Sequence, residues 1–123
     1  MRFLAALWVA IFSAALAQAA PIPVRVSSGP QERMARQLAT AVLKTFERDP
    51  RFTLVEHGRP ALDIALPARV GWERRLDWTE IHYQARLTSA TGQSRVIARH
   101  CWNWNLTDCA KQIAEAAARN GGN

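Results

Sequence analysis

Glu80 and His82 are separated by one residue in a run that alternates apolar and polar side chains. Ile81, Tyr83, Ala85 and Leu87 take one parity, and Glu80, His82, Gln84 and Arg86 the other. Such alternation is that of a half-buried strand, so the carboxylate and the imidazole share its polar face. A histidine beside a carboxylate is the least that general acid–base chemistry needs. Counted by the same parity, Arg69, Arg95 and Arg99 join that face, giving a candidate binding surface of Arg69, Glu80, His82, Gln84, Arg86, Arg95 and Arg99. Guanidinium forks pair with carboxylates and phosphates. An open antiparallel face wetted by solvent accounts for the same residues, and both readings stand at this point.

Nothing else supplies a reaction centre. The chain has no Gly-x-Ser-x-Gly, no His-Glu-x-x-His and no phosphate-binding glycine loop. No catalytic residue, metal site or cofactor is expected. Asn105-Leu106-Thr107 matches a glycosylation acceptor but reads as a helix cap. Trp72, Trp102 and Trp104 fit core parity, whereas Trp78 follows Asp77 in a turn and is expected at the surface. His100 is expected to be partly buried.

Cys101 and Cys109 are the only cysteines. Two cysteines this close read as a disulfide in an oxidising compartment. Zinc would need two further ligands at finger-like spacing, and thiol redox chemistry usually uses Cys-x-x-Cys; neither pattern is present. Parity creates a difficulty here. If Trp102 faces the core, Cys101 faces away from the helices, and the bridge requires a twist, a bulge or a helix that starts beyond the sheet edge.

The beginning of the chain gives its expected address. Met1-Arg2 precedes an apolar run from Phe3 to Leu16, and Ala17-Gln18-Ala19 follows as a small-x-small site. This is a signal-peptide layout over residues 1–19, with cleavage expected after Ala19 and one domain in residues 20–123. The run is shorter than the ~20 residues that span a bilayer, so no stable membrane insertion is expected after cleavage. The formal charge is +6, and cleavage would remove only Arg2 and leave +5. That charge favours an anionic ligand or an acidic partner, and is also ordinary for a small soluble domain. Lysine occurs only as Lys44 and Lys111 beside many arginines and alanines, a composition that points to a GC-rich bacterium and hence to a periplasmic or secreted protein.

The elements that must position these residues follow from periodicity. Ile22, Val24 and Val26 alternate as a strand. Met34, Leu38, Ala41, Val42, Thr45 and Phe46 form a helical stripe, entered through Ser28-Gly29-Pro30 and stopped by Asp49-Pro50. Phe52–Glu56 is a second strand, so the first three elements make a right-handed parallel βαβ unit. Three alternating runs follow, centred on Leu62–Trp72, Ile81–Leu87 and Val96–Trp104, joined as a meander with a tight turn at Thr91-Gly92. Leu106, Ala110, Ile113, Ala114 and Ala117 make a closing helix capped by Asn105. The expected fold is α/β in the two-layer α+β sense, a mixed sheet in the order β-α-β-β-β-β-α with two helices packed on one face.

This order resembles the N-terminal domain of TolB proteins and the related modules of lipoprotein activators of penicillin-binding proteins. The resemblance rests on Met34–Phe46 followed by Phe52-Thr53-Leu54-Val55, on Ala61–Leu66, on Tyr83–Leu87 with Thr91-Gly92, and on the alanine-rich final helix. It implies a non-catalytic envelope module that contacts a protein partner, and it transfers no individual functional residue. The expected function is an exported, non-enzymatic binding or adaptor module of the bacterial envelope. The alternatives are a small secreted hydrolase using Glu80 and His82, or a binder of anionic polymer through the basic sheet face.

Overall fold

The computed structural model describes residues 20–121. The expected signal peptide therefore lies outside the described residues. Six strands and two helices follow in order: β1 (Ile22–Ser27), α1 (Arg33–Arg48), β2 (Phe52–Leu54), β3 (Leu62–Ala65), β4 (Gly71–Arg75), β5 (Trp78–Ser89), β6 (Ser94–Trp102) and α2 (Leu106–Gly121). The fold is α+β, with both helices packed on one face of a mixed sheet, as the periodicity requires. β1 pairs in parallel with β2 on one side and β3 on the other. The twelve-residue β5 is the antiparallel centre. It takes β3 along Leu87 and β4 along Ile81 on one edge, and β6 along the other.

The helices form because their apolar residues recur on one face. Ala35, Leu38, Ala39, Val42 and Phe46 of α1 are buried against the sheet and against α2. Cys109, Ala110, Ile113, Ala114, Ala116 and Ala117 do the same from α2, whose small side chains let the two helices approach closely. Phe46, fully buried at the end of α1, meets Phe52 of β2 edge to face at 4.8 Å. The sheet supplies Val24, Leu62, Ile64, Ile81, Tyr83, Ala85, Leu87 and Ile97 to the same core. The turn between β5 and β6 bends at Gly92, whose φ of 91° suits glycine alone at no steric cost.

The run Leu62–Trp72 divides into two strands. Pro67 has no N–H for a ladder, and the linker instead pins the start of α1. Gln31 Nε2 donates to the Pro67 carbonyl at 2.8 Å, and the Glu32 N–H donates to the Ala68 carbonyl at 3.0 Å. The Glu32 carboxylate accepts from the Val70 N–H at 2.9 Å. Helix α1 accordingly begins at Arg33, later than the Ser28-Gly29-Pro30 signal indicates, because Glu32 is engaged by the linker. Beyond the linker, all five residues of β4 are exposed. Trp72, expected in the core, is 61% exposed and borders the start of α1 at Arg33, Met34 and Gln37.

The disulfide Cys101–Cys109 is present, with the two Cα atoms 5.5 Å apart and both cysteines buried. It ties the end of β6 to the first turns of α2. Among the described residues no helix is long and apolar enough to cross a membrane.

Candidate functional site

The face of the sheet turned away from the helices is uncovered, and register decides what it displays. In an antiparallel pair, directly opposed residues share a face. Along β5 the outward residues are Glu80, His82, Gln84 and Arg86, opposed on β6 by Trp102, His100, Ala98 and Val96. The expected parity therefore holds for β5 and is reversed for β6. Arg99 opposes Tyr83 and Arg95 opposes Leu87, which places both on the helix side of the sheet. They stay exposed because β6 is an outer strand that α2 only partly covers. Arg99 borders Asp108, Lys111 and Gln112 of α2, and Arg95 borders Asn120. Neither belongs to the open face, and the seven-residue surface read from parity loses these two.

The cause is the disulfide. Cys109 lies on the buried stripe of α2, so Cys101 must turn toward the helices, and Ile97 turns with it. The difficulty over Cys101 thus disappears without a bulge. Val96, Ala98, His100 and Trp102 are carried to the solvent face instead. They look like a core stripe because three of them are apolar, yet only Ile97 and Cys101 of this strand are buried. Trp102 is half-buried on the open face, and Trp104, in the turn beyond β6, is 69% exposed rather than internal.

The reversal assembles a cluster that periodicity missed. The indoles of Trp78 and Trp102 meet edge to face at 5.6 Å between ring centres. His100 lies 6.5 Å from Trp102 and 5.8 Å from His82. His82 Nε2 stands 2.9 Å from Glu80 Oε1. Arg75 of β4 closes the row, with its guanidinium 2.6 Å from Glu73 and 3.6 Å from Glu80. Arg86 lies further along the same face and makes no ion pair among the described residues. Arg69, in the β3–β4 linker, reaches the edge of the face. With Pro67, Gly71, His82, Gln84 and Ala98 it lines a shallow depression of about 380 Å³, whose rim Tyr83 and Arg99 also reach.

Chemically this is a surface for contact. The Glu80–His82 pair is real in geometry, and among the described residues it sits on an open sheet. Among the described residues no group of three His, Cys, Asp or Glu side chains could hold a metal ion. On the buried side of β5, the Tyr83 hydroxyl donates to Gln112 Oε1 at 3.0 Å and lies 3.4 Å from the Cys109 carbonyl. Burial pushes its ionisation well above the ordinary phenol range. Gln112 in turn donates to the His100 carbonyl at 3.0 Å, so the bridge region, α2 and the aromatic row form one connected unit.

These features define a small open-faced α+β module stapled by a disulfide, with an aromatic and arginine-bearing surface on its free sheet face. Among solved structures the chain is similar to the PelC dodecamer of Paraburkholderia phytofirmans, at 16% identity and a TM-score of 0.48, covering 82% of this chain and 89% of that one. It is also similar to a minor lipoprotein of Acinetobacter baumannii, at 8% identity and a TM-score of 0.47, covering 81% and 90% of the two chains. At these values neither assigns the chain a family or a partner. No protein-family model and no curated protein matches it.

Proposed function

We propose that the chain is an exported, non-enzymatic binding or adaptor module of the bacterial cell envelope. Its leader, residues 1–19, is removed, and residues 20–123 work in the periplasm or outside the cell. The module docks a protein partner on its open sheet face. The observation that carries this reading is the row Trp78, Trp102, His100, His82 and Arg75 laid on a sheet face that the described residues leave uncovered, with Arg86 beside it and without an ion partner among those residues. Tryptophan and arginine dominate the energetics of protein interfaces. The disulfide fits an oxidising compartment, and the resemblance to TolB-type envelope modules agrees with both address and role.

Pull-down from envelope extract tests the face against the rest of the surface. Arg86→Glu is expected to abolish capture of a discrete protein partner, while Arg95→Glu, on the helix side beside Asn120, leaves it intact. Equal effects of the two reversals would contradict the assignment of the open face. The 2.9 Å approach of His82 to Glu80 favours one second reading, acid–base hydrolysis of an anionic polymer. Polymer cleavage by the wild type that disappears in His82→Ala would establish it in place of docking.

A further inference from the structure

A second candidate surface lies on the other side of the molecule, between the two helices. A groove of about 740 Å³ runs along the solvent side of the helix layer, within the ~300–1,000 Å³ range of sites that hold small ligands. Its charged lining is Lys44 and Arg48 of α1, Lys111 of α2, and Asp49 and Arg51 of the turn after α1. The only two lysines of the chain thus face one hollow from two different helices.

Asp108 lies beside Lys111 at the edge of the groove, and the other two carboxylates nearby are already engaged. Asp49 takes Arg51 at 2.7 Å, and Glu115 takes the same guanidinium at 2.9 Å. The Arg51 hydrogen bond holds the carboxyls of Asp49 and Glu115 below their usual range, so both are fully ionised and paired at neutral pH. Lys44, Arg48 and Lys111 have no ion pair among the described residues. Arg48 alone could be explained by the negative end of α1. Lys111, in the second turn of α2, lies beyond the reach of either helix end's field and turns to the same hollow as Lys44. The hydroxyls of Thr45 and Thr107 and the amide of Gln37 also line the groove and add neutral hydrogen-bonding groups.

We propose that this interhelical groove binds a phosphate group, carried by a soluble phosphate ester or by a lipid headgroup. Ammonium groups act on phosphate as mobile point charges, and a doubly charged anion offsets the mutual repulsion of three unpaired cations. The site is separate from the open sheet face, so it stands or falls independently of the proposed docking function.

The test uses the folded, disulfide-bonded protein. Inorganic pyrophosphate is titrated while the backbone amide resonances are followed, and co-sedimentation with phosphatidylglycerol vesicles is measured in parallel. Saturable shifts at Lys44, Thr107 and Lys111, or sedimentation with the vesicles, are expected in at least one arm, and each weakens with salt. Pyrophosphate binding identifies a soluble ester, and sedimentation alone identifies a headgroup. Lys44→Glu with Lys111→Glu should weaken the positive arm by about tenfold or more, the scale of losing two charge-assisted contacts. Lys44→Gln with Lys111→Gln should show an intermediate loss with native folding, and Arg86→Glu none. Failure of both probes to bind, or binding that survives the double reversal, would overturn the site.

Discussion

Tyr83 is the only tyrosine of the chain, so its ionisation is observable without interference. Burial disfavours the phenolate and raises the folded-state value above the ~10 of an exposed phenol. The sign follows from linkage. The group stays neutral in both states below the unfolded value, and stability is lost as pH rises from there toward the folded value. The near-ultraviolet phenolate band should therefore stay absent past the ordinary range and emerge together with loss of the fold. A titration near the ordinary value in the folded chain would show that the hydroxyl is not buried as the structure has it. Residues of this kind were legible early: the outward set Glu80, His82, Gln84 and Arg86 and the inward set around Tyr83 follow from alternation alone, because β5 has helices on one side and solvent on the other.

At the scale of elements, β6 shows where alternation stops being informative. An outer strand covered by a narrow part of one helix buries only Ile97 and Cys101, so the larger apolar count of Val96, Ala98 and Trp102 pointed to the wrong face. The signal that would have corrected it was already in the sequence. A bridge to Cys109, on the apolar stripe of a helix, requires Cys101 to face that helix, and parity then carries Arg95 and Arg99 to the same side. The division at Pro67 and the exposure of Trp72 were less accessible, since they depend on how the β3–β4 linker bonds to the start of α1. The bridge also makes a thermodynamic prediction. Its ends are eight positions apart, and closing so short a loop stabilises by roughly 2.5 kcal/mol in the chain-entropy account. Cys101→Ala with Cys109→Ala should lower the unfolding free energy by about that amount, read as a fall in the denaturant midpoint at unchanged slope. An unchanged midpoint would mean that packing of α2 on β6 holds the end of the sheet without the covalent tie.

The whole molecule is a two-layer body with unlike sides. Its helix side carries a cationic groove, and its open sheet side carries aromatic rings, a paired Glu80–His82 and a free Arg86. Trp72 of β4 opposes Ile81 and so takes the helix side, beside the start of α1, and Leu76 is the most exposed large apolar side chain among the described residues, at 88%. An isolated exposed apolar residue needs no explanation, but rings gathered on an uncovered sheet with arginines beside them are what a partner would cover. The address is tested by mass: processed protein should begin at Ala20 and carry the disulfide, and recovery of Met1 with both thiols free would place it in a reducing compartment.

Photo-crosslinking in living cells tests the docking face most directly. A photoreactive residue placed at Gln84 or Ala98, in the middle of the open face, should give one discrete protein adduct that disappears with Arg86→Glu and persists with Arg95→Glu. The same residue placed at Arg36, on the exposed side of α1, should not give that adduct. Adducts from Arg36 with none from Gln84 and Ala98 would contradict the account.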